Sequence, residues 1–187
     1  MPSKEHGAAT GTLASEVSKQ LGRMGPNVEN EIVAFSGSGI RAEGRGKEAD
    51  FAWGPQVPPD AVDDSGSVTV AVEVAVSQKP TMLKRDIDYW LSPTAGNANL
   101  VIAVKVGRSD PEVSIELWRQ ADRGAHRTQH TIIKKVNSRV IILGDEVTIP
   151  FKDLLGRERS APGEIDVTIT KEQLERVARA IWSQQRF

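Results

Sequence analysis

The sequence predicts an α/β protein, a central mixed β-sheet flanked by helices with extra antiparallel strands and a C-terminal helix. Three observations predict it. Val68, Val70, Val72, Val74 and Val76 alternate with small residues, which marks a strand apolar on both faces and therefore central in its sheet. Leu83, Ile87, Trp90 and Leu91 then recur at i, i+4, i+7 and i+8, one face of a helix that runs from Pro80 to the Ser92-Pro93 stop. A second apolar run, Asn99 to Val106, follows, so strand, helix and strand alternate.

The remaining elements fall around that unit. Leu13, Val17, Leu21 and Met24 share a helical face over residues 12–24, which Gly25-Pro26-Asn27 ends. Residues 1–11 read as a flexible N-terminal segment and 12–187 as one domain. Glu31 to Phe35 is a short strand and Ser36-Gly37-Ser38-Gly39 a turn. Glu48 to Trp53 is a second strand, with Glu48, Asp50 and Ala52 on one face. Residues 54–67 form a long Pro/Asp/Gly/Ser-rich loop. Val113–Trp118, Thr131–Val136 and Val140–Leu143 extend the sheet by antiparallel pairs. Pro150 to Leu155 reads as one helical turn, and Thr170-Lys171-Glu172-Gln173 as the capping box of a last helix.

Composition narrows the function classes. The formal net charge is -1 and the pI about 6.3, so no overall positive field draws the chain to nucleic acid or an anionic membrane, and any nucleic-acid contact must be through a local patch. There is no cysteine, which excludes a disulfide scaffold and a thiolate metal site. With no apolar leader and no run of about 18 apolar residues, the expectation is a soluble, intracellular protein with no membrane partner. Oligomerisation is left open.

The chemistry rests on two acids, Asp50 on the second strand and Glu73 alone among the valines of the third. A carboxylate in an apolar strand costs several kcal/mol to bury unless it is paired or metal-bound. The order helix, strand, strand, strand, helix, strand over residues 12–106, with an acid on the second and third strands, resembles the PD-(D/E)XK, or restriction-endonuclease-like, nuclease superfamily. Ala49-Asp50 stands where that superfamily has Pro-Asp, and Glu73-Val74-Ala75 where it has Glu-x-Lys. Lys47-Glu48-Ala49-Asp50-Phe51-Ala52-Trp53 and Val72-Glu73-Val74-Ala75-Val76-Ser77-Gln78 are similar, more narrowly, to a branch of provisionally named restriction endonucleases and uncharacterised fungal proteins.

The resemblance implies a restriction-endonuclease-like αβββαβ core and metal-dependent hydrolysis of DNA or RNA. Asp50 and Glu73 would hold Mg²⁺ or Mn²⁺, a hard cation that needs only one or two carboxylates and neutralises the scissile phosphate. Glu16 on the first helix stands where many relatives carry a further acid, or else faces water. The motif lysine is replaced by Ala75, and the resemblance offers Lys84 of the following helix as its substitute, near Glu73. Against that, Lys84 and Asp88 make an ordinary i, i+4 surface pair. Ser77 and Gln78 are candidates for orienting substrate or water, Ser77 equally for capping the next helix. Asp50 as a plain strand-end acid and Glu73 as half of a structural ion pair are the bland alternatives. His126 and His130 lie in a loop or strand entrance rather than a helix, so a metal pair there is disfavoured. Ala75 and the near-neutral charge favour a second reading, a catalytically inactive nuclease-fold module for binding or assembly.

Overall fold

The computed structural model describes residues 3–36, 39–42, 45–56, 68–76 and 78–187. In chain order its elements are α1 (Lys4–Met24), α2 (Pro26–Asn30), β1 (Ile32–Phe35), β2 (Gly39–Ala42), β3 (Arg45–Glu48), β4 (Phe51–Pro55), β5 (Val70–Val76), α3 (Pro80–Leu91), β6 (Leu100–Val106), β7 (Glu112–Ala121), β8 (Gly124–Val136), β9 (Arg139–Leu143), β10 (Val147–Ile149), α4 (Phe151–Leu155), β11 (Val167–Ile169) and α5 (Lys171–Gln185). Among the described residues, no helix is long and apolar enough to cross a membrane.

Seven strands form one mixed sheet in the order β1-β4-β5-β6-β7-β8-β9. Only β5 and β6 run parallel, because α3 carries the chain from the end of one to the start of the other, and the remaining pairs are antiparallel. The expected α/β class and the order α1, β1, β4, β5, α3, β6 are present, with a β2–β3 hairpin inserted as a separate two-stranded sheet.

The alternation of β5 divides the core. Val70, Val72 and Val74 face a cluster with Leu13 and Val17 of α1, Phe151 of α4, and Val177 and Ile181 of α5. Ala71 and Ala75, with Ala52 and Ala103, face Leu83, Ile87, Trp90 and Leu91 of α3. Small residues on this second face let the fully buried Trp90 lie against the sheet. The chain returns under α3 through Gly96, where an added Cβ would lie 2.6 Å from Trp90 Cα.

Three expectations need correction. Helix α1 starts at Lys4, so most of residues 1–11 is helical: Ser3 caps it through His6 N–H, and Ala9 is buried. Gly7 and Gly11 disguised that turn, since glycine disfavours helix by about 1 kcal/mol. The expected strand Glu48–Trp53 is two strands, broken at Ala49-Asp50 where the chain passes from the hairpin into the main sheet. The β10–β11 pair, which α4 and its following loop connect, was not anticipated from its three-residue strands.

Candidate active site

The break at Ala49-Asp50 builds the site. The antiparallel register of β4 on β5 ends with Phe51 opposite Val72, so the next pair in register sets Asp50 opposite Glu73. Asp50 itself bends out of the ladder, and its Oδ2 accepts a 2.6 Å hydrogen bond from Val74 N–H. The carboxylate thus stands in for the strand carbonyl that would otherwise meet that donor. Beyond this point Val74 and Val76 line an open cleft of about 410 Å³, together with Ser3, His6, Asp50, Gln78 and Arg108.

Glu73 is 5% exposed and points to the α3 face. Its Oε1 accepts from Lys47 Nζ at 2.7 Å and from Trp90 Nε1. Burial is the largest influence on this carboxyl and pushes its pKa above the usual value; the Lys47 and Trp90 hydrogen bonds offset part of the rise, and the charge of Asp50 adds to it. Lys47 Nζ also lies 3.6 Å from Asp86 Oδ1 and 5.8 Å from the Trp90 ring centre. Asp86 Oδ2 in turn accepts from Gln78 Nε2 at 2.9 Å, which ties the network back to the cleft wall.

On the other side, α1 places His6 Nε2 2.8 Å from Asp50 Oδ2, an ion pair when the imidazole is protonated. The Asp50 hydrogen bond raises the His6 pKa, the attraction of Asp50 and Glu73 adds to the rise, and partial burial opposes it. Asp50, Glu73 and Asp86 therefore face Lys47 and a titratable histidine, so with His6 neutral the cluster carries surplus negative charge. Among the described residues no group of three His, Asp or Glu side chains forms a ready-made metal cage. The donor chemistry nonetheless fits a hard cation resting on two carboxylates and water, which is how Mg²⁺ is usually held.

The expected residues fare differently. Asp50 leaves the ladder but stays close enough to Glu73 for its charge to act on that carboxyl, and Asp50 and Gln78 line the cleft. Ser77 lies outside the described residues, and Lys79 holds the N-cap position of α3. Lys84 does not reach Glu73. It pairs with Asp88, one turn along the exposed side of α3, and lies 5.7 Å from the Trp118 ring centre of β7. Glu16 is also elsewhere: although only 2% exposed, it is clasped between α1 and α5 by Lys19, Gln173 and Arg176. Burial pushes its pKa up, but those hydrogen bonds outweigh it and hold the carboxyl at about 2. His126 and His130 are both in β8, and His130 Nε2 lies 3.0 Å from Ser114 Oγ.

Lys47 and His6 were not singled out from sequence. Lys47 precedes Asp50 by three, which in an unbroken strand sets the two on opposite faces. Only the break at Ala49-Asp50 brings Lys47 round to Glu73. His6 fell in the segment read as flexible.

No family model matches the chain, and no curated protein does either. Among solved structures it is similar to a protein from Anabaena variabilis, belonging to DUF820 and provisionally described as a nuclease. That likeness has 11% identity, covers 99% of this chain and 84% of the other, and reaches a TM-score of 0.49. At this level it carries no statement about activity, and the functional reading rests on the site.

Proposed function

We propose that the chain is a metal-dependent nuclease that hydrolyses phosphodiester bonds of DNA or RNA at the Asp50–Glu73 cluster. The observation that carries this reading is Asp50 on the wall of an open cleft, close enough to Glu73 for its charge to act on that carboxyl, with the Lys47 ammonium on Glu73. A structural ion pair would account for Glu73 and Lys47. It gives no reason for Asp50 to leave its strand at the cleft edge, or for a third acid, Asp86, to share Lys47.

Asp50 and Glu73 are the residues that would hold Mg²⁺ or Mn²⁺, which would neutralise the scissile phosphate and lower the pKa of a bound water. The chain's own residues do the rest. Lys47 supplies the ammonium that the strand lacks at Ala75, and its bond to Glu73 fixes both side chains. Arg108 and Gln78, on the cleft wall, present a cation and an amide donor to a phosphate. His6, held on Asp50, is placed to give up or take a proton at Nε2 as Asp50 changes partner.

A second reading, an inactive module of the same fold, is favoured by one specific feature: Glu73 already has two donors on Oε1, and Asp50 has His6 and Val74 on Oδ2. A cleavage assay on single-stranded DNA, duplex DNA and RNA with Mg²⁺ or Mn²⁺ separates the two. The nuclease reading expects cleavage that Asp50→Asn, Glu73→Gln and Lys47→Met each reduce by about 10²-fold or more. No cleavage of any substrate by the wild type, or cleavage that survives both acid substitutions, would reject it.

A further inference from the structure

We propose, on the nuclease reading, that Asp86 of α3 is a positioning residue, which holds the Lys47 ammonium against Glu73 and ties it to Gln78 on the cleft wall. Its place on the helix makes this possible. Leu83, Ile87 and Trp90 are buried against the sheet, and Asp86 comes three residues after Leu83 and four before Trp90, so it shares their side of α3. Its side chain is 16% exposed, against 47% for Asp88 two residues on. Two successive turns of α3 therefore flank one ion pair. Trp90 Nε1 donates to Glu73 Oε1, and one turn earlier Asp86 Oδ1 lies 3.6 Å from Lys47 Nζ, which is itself 2.7 Å from that same Glu73 oxygen. The other oxygen, Asp86 Oδ2, accepts from Gln78 Nε2 at 2.9 Å. One carboxylate thus joins β3, the residues before α3, and α3 itself.

Charge balance does not call for this acid. Lys47 alone neutralises Glu73, and with Asp50 nearby a further carboxylate leaves the cluster in negative excess. Nor is Asp86 half of an ordinary surface pair within its helix, since the positions three and four residues away on α3 are Met82, Leu83, Tyr89 and Trp90. Its cation comes from the hairpin instead. What Asp86 adds is direction. A lysine ammonium is a compact, strongly hydrated charge on a flexible four-carbon stem, and a single hydrogen bond leaves it free to swing toward water. Lys47 is 23% exposed and belongs to β3, whose two-stranded sheet is separate from the main one. A second anion, with the Trp90 ring centre 5.8 Å away, confines the ammonium to the gap between Glu73 and α3. Gln78 secures the arrangement from the cleft side. An ionised carboxylate only accepts, so the amide turns its nitrogen to Asp86, and that bond fixes the plane in which Oδ1 meets Lys47.

Two substitutions in the full chain test this. Asp86→Asn is isosteric and keeps an oxygen that accepts from Gln78, but removes the charge facing Lys47; Asp86→Glu restores the charge. The first readout needs no activity. In protein carrying isotopically labelled lysine, the Lys47 ammonium resonance, identified by its absence from Lys47→Met, should be sharp and slow to exchange with water in the wild type. It should be broadened or lost in Asp86→Asn and recovered at least in part in Asp86→Glu. The second readout is Mg²⁺- or Mn²⁺-dependent cleavage of single-stranded DNA, duplex DNA and RNA. Asp86→Asn should lower kcat by at least about tenfold with KM changed by less than about twofold, because a displaced ammonium is missed at the reacting phosphate and not in holding the rest of the substrate. Asp86→Glu should recover part of the rate. An unchanged circular dichroism spectrum shows that folding is intact. A Lys47 resonance that the wild type lacks, or that Asp86→Asn leaves unaltered, overturns the proposal, as does wild-type kcat in Asp86→Asn. A wild type that cleaves no substrate rejects the nuclease reading, and the resonance still decides whether Asp86 holds Lys47.

Discussion

Replacing Lys47 with methionine keeps most of the side chain's length and apolar stem but removes the ammonium 2.7 Å from Glu73 Oε1. Glu73 is 5% exposed, so the variant leaves a buried carboxylate with Trp90 Nε1 as its remaining donor among the described residues. Breaking a buried pair from one side costs about 3 to 5 kcal/mol. Because Trp90 remains and the Lys47 side chain is 23% exposed, the low end applies, about 3 kcal/mol near pH 8. In urea that moves the unfolding midpoint down by about 1 to 1.5 M, for a slope of about 2 to 3 kcal/mol per molar. The pH dependence gives the sign. Burial already raises the Glu73 pKa above the ordinary 4.5, so the native state holds this proton more tightly than the unfolded chain. The associated stability is complete below the unfolded value and is lost as pH rises through the raised folded value. Removing Lys47 raises that value further, so the deficit of Lys47→Met must shrink on acidification, and Lys47→Met/Glu73→Gln must recover most of it at pH 8. A single variant as stable as wild type at pH 8, or equally impaired at pH 4 and pH 8, would refute the account of Glu73 as a buried, lysine-compensated carboxylate.

Three further outcomes follow from the structure. Glu16→Gln should lower stability by about 1 to 2 kcal/mol at neutral pH, a figure discounted because Lys19 and Arg176 are more than half exposed. With the Glu16 carboxyl depressed to about 2, this contribution is present above the unfolded value and fades as pH falls toward 2, which urea melts at several pH values would follow. Lys84→Ala should change stability by less than about 0.5 kcal/mol and leave cleavage unchanged, since its pair with Asp88 is exposed; a large loss of rate would return Lys84 to the site. Gly96→Ala should cost about 2 to 3 kcal/mol, because the new methyl would meet backbone atoms of Trp90 that cannot yield; calorimetry should show the melting temperature fall by about 5 to 10 °C.

How much was legible depended on the range of the signal. The valine alternation of β5, the apolar stripe of α3 and the Thr170–Gln173 capping box are local patterns, and each appears where the residues put it. Glu73 was legible for a related reason, as the one charged residue of the valine strand β5, whereas Asp50 lies in the break before β4 rather than in a strand. Lys47 was not, because its arrival at Glu73 depends on a two-residue break in the chain and on the register of β4 against β5, neither of which has a sequence period. Lys84 shows the converse. A helical wheel fixes its angle but not which neighbour its ammonium takes, and it takes Asp88, the i, i+4 partner on its own helix, beside the Trp118 ring. Glu16 looked like either a site acid or a solvated one. It is neither, since the residues that bury it come from α5, more than 150 positions later.

The central claim is that Asp50 and Glu73 form one cation site, and Mn²⁺ titration by calorimetry tests it most directly. Wild type and Glu16→Gln should give the same weak, roughly millimolar isotherm expected of two carboxylates and water, and Asp50→Asn and Glu73→Gln should each abolish it. Superimposable Mn²⁺ isotherms for wild type, Asp50→Asn and Glu73→Gln would contradict the account.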